Sequence, residues 1–331
     1  MKNHAVAAAL LLVACKQASP EAVKPEPVQP AEKPASGWAS DQDELTLVNL
    51  YDSFGEANEE LTQDFGFSTI VRYRGKTILF DSGTSADVFA KNLAAMGISP
   101  REIDYAVASH NHHDHIAGFD YLLRENPNVK LFLPNDFNGI GAPMGFSLAG
   151  PEPEAGKKLP AEQCYFNCEK TQIVIESSGR FWGANVTYVK EPTEILEGLR
   201  IVPTSSALLG TFMRYPPHQD EPKLVGMPEL SVSIETEKGD VVLVGCSHAS
   251  VEVIVEAVKA AGREIHLVVG GYHLLPYSRE AIEKTARRLR DELGVEAVAP
   301  AHCTGHVAFE VFRAVYGAGY RFFGLGTKLV V

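Results

Sequence analysis

Apolar positions group the chain from Leu45 onward into short segments with two periodicities. Residues 45–51 alternate loosely and predict a strand. Residues 67–73 and 77–80 predict a strand pair turned at Arg74-Gly75-Lys76. A helix over about 86–96 follows Asp81-Ser82-Gly83. Residues 103–108 form a short apolar strand, then a helix over about 115–124 and a strand at 129–133. In the last third, residues 230–235 and 241–244 predict a hairpin turned at Lys238-Gly239-Asp240. Helix 250–261, strand 265–269, helix 278–293, strand 295–299, helix 305–316 and a closing strand pair follow. Hairpins mixed with strand–helix alternation imply an α/β protein of layered sheets covered by helices.

Two stretches break the pattern. Residues 134–228 are rich in Gly and Pro and weakly periodic, with strands expected at 172–176, 185–189 and 199–202. Long loops in a domain are usually functional, so this stretch is expected to be an insert shaping a substrate cleft. The other is the N-terminus. Lys2 precedes an apolar run at 5–14, too short to span a bilayer. Its end, Leu12-Val13-Ala14-Cys15, resembles a bacterial lipobox, which implies cleavage before Cys15 and lipid on its thiol. Pro20, Pro25, Pro27, Pro30 and Pro34 follow in a polar segment that cannot bury enough apolar area to fold. The expected organisation is a signal at 1–15, a disordered tether at 16–42 and one domain at 43–331. An exported lipoprotein would face the periplasm or the cell surface.

Composition narrows the partners. The net charge of -12 over 331 residues argues against a nucleic-acid surface. A small anionic substrate remains compatible, because a bound metal ion reverses the field locally. Oligomeric state is not legible. Cys164 and Cys168 can close a small disulfide or remain a pair of buried thiols.

The candidate chemistry sits where apolar runs stop. Residues 103–108 lead to His110, 241–244 to His248, 265–269 to His273 and 295–299 to His302. Ligand sites of α/β folds gather outside the carboxyl ends of strands. The densest part is His110-x-His112-x-Asp114-His115. Extended residues two apart point the same way, so His110 and His112 can grip one ion. Asp114 and His115, where the chain enters a helix, can face a second. Imidazole and carboxylate suit divalent transition ions, zinc first. Two such ions can share a bridging hydroxide and perform hydrolysis.

That run is the signature of the metallo-β-lactamase superfamily, and the chain resembles it from about Leu45 to its end. Asp81-Ser82-Gly83 resembles the superfamily's Asp-x-Gly. Gly245-Cys246-Ser247-His248, Gly270-Gly271-Tyr272-His273-Leu274 and His302-Cys303-Thr304-Gly305 resemble one branch, the dihydropterin ribofuranosylaminobenzene phosphate synthase-like metal-dependent hydrolases. The resemblance implies an αββα sandwich with a dinuclear site on one edge. It puts His110 and His112 in the first site and Asp114, His115 and His302 in the second, with Asp114 essential to catalysis. Two positions depart from the pattern. The stretch 203–206, Pro-Thr-Ser-Ser, lacks a histidine found in many members, and His248 is the best replacement. Cys246 stands where many members have a bridging aspartate. It is either a thiolate ligand or a buried residue turned inward, the second being favoured. His273 is expected to act in catalysis or on substrate, His218 as part of a lid, His113 to point away, and Cys303 to pack.

Synthesis of a pterin cofactor is cytoplasmic, so that activity does not suit an exported chain. The expected function is an exported metal-dependent hydrolase of a phosphoester or related small molecule. The alternatives are a lactone or carboxylic ester hydrolase, or a non-catalytic lipoprotein that binds metal or ligand.

Overall fold

Two mixed β-sheets share a core in the computed structural model. It describes residues 44–331 apart from 56–59, 135–143, 151, 153, 157–158, 171, 176–183, 209–211 and 214–223. The first elements are β1 (Thr46–Tyr51), β2 (Ser68–Tyr73), β3 (Lys76–Phe80), α1 (Ala86–Ala95), β4 (Tyr105–Val107), α2 (His113–Ile116), α3 (Phe119–Glu125) and β5 (Lys130–Pro134). Then come β6 (Met144–Ser147), β7 (Gln172–Ile175), β8 (Val186–Val189), β9 (Thr193–Leu196), β10 (Leu199–Thr204), β11 (Phe212–Met213) and β12 (Leu224–Val225). The rest runs β13 (Glu229–Ile234), β14 (Asp240–Val244), α4 (Val251–Lys259), β15 (Ile265–Gly271), α5 (Arg279–Arg287), β16 (Ala297–Ala301), α6 (His306–Tyr316) and β17 (Lys328–Val330).

One sheet is ordered β17-β1-β2-β3-β4-β5-β8 and the other β16-β15-β14-β13-β10-β9. Strands joined by a tight turn pair antiparallel, as β2 with β3 across Arg74 and Gly75, both with positive φ. Strands joined through a helix pair parallel: β3 with β4, β4 with β5, β14 with β15, and β15 with β16.

Alternation explains the continuous apolar runs. In β14, Val241 and Leu243 face the core between the sheets, whereas Val242 and Val244 face the helices. In β15, Leu267 and Val269 point inward and Val268 outward; in β16, Ala297 and Ala299 point inward and Val298 outward. A strand buried on both faces has no polar face to alternate with. Phe67, Phe80 and Phe132 fill the shared core from the first sheet, opposite Ile201, Leu230 and Leu243 from the second. Each buried side chain of this size contributes roughly 1.5–3 kcal/mol. Phe89, Leu93, Phe119 and Leu122 cover the outer face of the first sheet. Ile254, Val255, Ile282 and Phe312 cover that of the second. The result is the αββα sandwich.

Several elements differ from the sequence expectation. The single helix expected over 115–124 is α2 and α3, divided at Ala117 and Gly118. A Cβ on Gly118 would lie 2.2 Å from Ser82 O, so the glycine lets this segment pass close behind Asp81-Ser82-Gly83. Gly118→Ala is therefore expected to cost about 2 kcal/mol or more, read as a lowered urea midpoint. The C-terminal part of helix 278–293 is a π-turn, Arg288–Glu292. The closing strand pair is one strand, β17, which pairs with β1.

The stretch 134–228 is not a single insert. It supplies β8 to the first sheet, and β9 and β10 to the second. β8 falls on the strand expected at 185–189, whereas β9 has no expected counterpart, since none of its four positions is fully buried. Cys164 and Cys168 form a disulfide. The signal segment with Cys15, the tether and His218 lie outside the described residues.

Candidate metal centre

The rim begins at Asp81, just after β3. Both its carboxylate oxygens are used: Oδ1 accepts from the Ser109 backbone N–H at 2.6 Å, and Oδ2 from Ser109 Oγ at 2.7 Å. His115 Nδ1 lies 2.6 Å from the same Oδ2. Asp81 thus leaves His115 Nε2 free to point elsewhere. Ser109 Oγ also lies 2.8 Å from His110 Nδ1, which turns His110 Nε2 outward. A Cβ on Gly245 would lie 2.2 Å from Ser109 Oγ, so glycine after β14 lets the two sheets' rims meet.

The backbone at this rim is unusual. Asp81, Ser247, Ser250, His273 and His302 all adopt positive φ. Non-glycine residues held there cost on the order of 1–3 kcal/mol each and cluster at functional sites.

Two groups of ligand atoms result. His110 Nε2, His112 Nδ1 and His248 Nε2 form a triangle with sides of 3.1, 3.2 and 3.2 Å. Tetrahedral ligands on zinc lie about 3.3 Å apart, from Zn–N bonds of about 2.0–2.1 Å. Burial, reinforced by the neighbouring imidazoles, holds His110 and His248 well below the usual histidine range. Burial likewise brings His112 to about 4. Three neutral rings converging on one point suit a cation better than they suit each other.

The second group is Asp114, His115, Cys246 and His302, all buried. His302 Nε2 lies 3.1 Å from His115 Nε2 and 3.2 Å from Asp114 Oδ2. Burial alone would raise the Asp114 carboxyl, but His115 and His302 hold it well below the usual range. Burial would lower His302, but Cys303 and Asp114 lift it to about 9.

Cys246 belongs to both groups. Its Sγ lies 3.1 Å from His115 Nε2. Cys246 is buried in the shared core, as the favoured expectation had it, and its thiol at the same time lies against the histidines. His248 and Cys246 are not alternatives, since both reach the site. His273 sits beside the first group, its ring 4.3 Å from that of His248. It hydrogen-bonds the Cys303 side chain, and its buried Nδ1 has no hydrogen-bond partner among the described residues. Cys303 packs in the shared core, where its Sγ is 3.4 Å from that of Cys246. His113 joins neither group among the described residues.

Two buried carboxylates escaped the sequence reading. Asp52 Oδ2 accepts from the His302 backbone N–H at 3.1 Å and fixes that loop. Glu229 Oε1 accepts from Ala249 N–H at 2.5 Å, next to His248. Burial pushes both up to about 7. Asp52 had one signal: a carboxylate directly after an apolar strand, like Asp81. Glu229 had none.

Comparison with known proteins fits this geometry. The metallo-β-lactamase superfamily profile matches residues 61–140, the stretch holding Asp81 and the first four ligands. A solved metal-dependent hydrolase of the β-lactamase superfamily, Tm1679, is 26% identical and superposes with a TM-score of 0.64 over 87% of this chain and 99% of its own. The chain is similar to enzymes of the metallo-β-lactamase superfamily over most of its length. Among curated relatives it is 26% identical to the 7,8-dihydropterin-6-methyl-4-(beta-D-ribofuranosyl)-aminobenzene-5'-phosphate synthase of Methanocaldococcus jannaschii. That match covers 82% of this chain and 91% of the synthase. The superfamily resemblance and the candidate ligand groups together imply divalent metal binding.

Proposed function

We propose that this chain is a metallo-β-lactamase-superfamily enzyme, a dinuclear metal hydrolase of a small phosphoester, exported and held at a membrane by lipid on Cys15. The observation that carries the dinuclear reading is the pair of ligand groups, His110–His112–His248 and Asp114–His115–His302, with Cys246 common to both. The phosphoester reading draws on the synthase relative, whose name records a 5'-phosphate. Divalent ions bound there would supply Lewis acidity and a water activated at neutral pH.

The chain's own residues do the rest. Asp81 and Ser109 orient His115 and His110 through their far nitrogens. Asp52 and Glu229 hold the backbones that present His302 and His248. His273 borders the first group without belonging to it, and it is half-buried. From there its imidazole can carry a proton to the leaving oxygen.

Purification without chelator, followed by elemental analysis, is expected to give about two equivalents of transition metal. One equivalent or none overturns the dinuclear reading. A chromogenic panel of phosphomonoester, phosphodiester, lactone and β-lactam substrates is expected to give its highest kcat/KM on a phosphoester. A preference for the lactone would replace the substrate class and leave the metal centre standing. Labelled palmitate is expected in the wild-type chain and absent from Cys15→Ala; label retained by the variant refutes the lipid anchor.

A further inference from the structure

Cys303 is the one sulfur in the site that the hydrolytic reading leaves without a task. It directly follows His302, and it is buried. Its Sγ lies 3.4 Å from Cys246 Sγ, and a disulfide needs about 2.0 Å. Side-chain rotation can close that gap of about 1.4 Å. The two sulfurs sit on loops after β14 and β16, and the strand between them, β15, ends in glycine. A Cβ on Gly271 would come within 2.9 Å of Cys303 Sγ and 3.2 Å of His302 Cδ2. Glycine there leaves the sulfurs room beside each other. Cys246, His273 and Cys303 offer ligand atoms within 4.8 Å of one another, and His273 is half-buried rather than sealed. Buried cysteines are often plain packing residues. Packing alone does not explain a sulfur pair in contact, with one member aimed at His115 and the other bonded to His273.

We propose that Cys246 and Cys303 are a redox-active pair whose closure to a disulfide withdraws Cys246 from the metal centre. The oxidant is a small peroxide. One thiol sulfur attacks a peroxide oxygen; the O–O bond breaks, a sulfenic acid forms, and the other oxygen leaves as water or alcohol. The second sulfur then attacks the sulfenic sulfur. The S–S bond forms, the S–O bond breaks, and the oxygen leaves as water. Both sulfurs are oxidised, the peroxide is reduced, and the two thiol protons leave with the oxygens. A small thiol reverses the reaction by exchange. Cys246 is common to both ligand groups, so its capture by Cys303 acts on both. The pair itself depends only on the sulfur geometry; the loss of metal rests on the dinuclear reading.

The test uses the full chain, once metal-free and once loaded with zinc, treated with a modest excess of hydrogen peroxide. Digestion without reductant is expected to give a Cys246–Cys303 linked peptide that dithiothreitol removes. In the loaded protein, zinc release to a colorimetric chelator is expected to follow the link, and dithiothreitol with fresh zinc to restore the metal. Cys303→Ala, first shown by thermal melting to fold, is expected to keep its zinc through the same treatment. Intact thiols, or separate sulfinic acids with no linked peptide, overturn the pair. A linked peptide with zinc still bound overturns the withdrawal of Cys246. If the protein binds no zinc, the dinuclear reading fails, while the metal-free arm still decides the pair.

Discussion

Replacing Asp114 by Asn is expected to lower turnover at least ~10³-fold in a protein that still folds. Asp114 is the carboxylate of the second ligand group, with Oδ2 3.2 Å from His302 Nε2. His115 and His302 hold it ionised despite complete burial. Asn keeps the volume and the backbone carbonyl, which accepts from Phe67 N–H at 3.1 Å, so the local fold survives. It loses the negative charge that favours a cation. Losing one ion removes several kcal/mol of transition-state stabilisation, and about 4 kcal/mol is a factor of ~10³. Metal analysis is expected to fall from about two equivalents to about one. Near-normal turnover in the variant would remove Asp114 from the site.

The second large effect is on metal-stripped protein, in which the depressed histidines lose stability as pH falls below 6.5, while Asp52, Glu229 and His302, all raised, lose it as pH rises. His112 titrates near 4 in the fold against 6.5 in an unfolded chain. Between those values the unfolded chain binds more protons, so stability is present above 6.5 and is lost as pH falls toward 4. The shift corresponds to about 3 kcal/mol for this residue alone. His110 and His248 act in the same direction, both being depressed by burial. His302 acts oppositely: with a folded value of about 9, its contribution is present below 6.5 and is lost as pH rises through 9. A bound ion also stabilises by mass action, about 4 kcal/mol at a thousandfold excess over its dissociation constant. Urea melts of stripped and zinc-loaded protein from pH 4.5 to 9 should therefore diverge most at the acid end. Superimposable profiles would show that these imidazoles do not hold metal.

Much of the fold was legible because its strands carry local signals. β14, β15 and β16 are buried on both faces, so they appear as apolar runs, interrupted inside β15 by His266. The edge strand β9 was missed, since none of its four positions is fully buried. The break between α2 and α3 was hidden because it answers a long-range contact, Gly118 against Ser82. The same contrast runs through the site. His110, His112, Asp114 and His115 are neighbours in sequence, and their spacing alone shows chemistry. Asp52 and Glu229 act on backbones 250 and 20 residues away, and no local pattern reports such a bond.

The sequence by itself determined the resemblance to a hydrolase superfamily and which histidines gather at one rim. Residue type and strand-end position restrict both, and parallel strands necessarily bring their carboxyl ends to one rim. Only the tertiary structure decided how these groups are shared. It placed Cys246 between the two ligand groups rather than away from them, and it set Cys303 against it. The course of the chain after a strand end depends on one or two backbone torsions, here the positive φ at Ser247 and His302. Such torsions are set by contacts between distant segments, and these contacts exist only once both sheets have met.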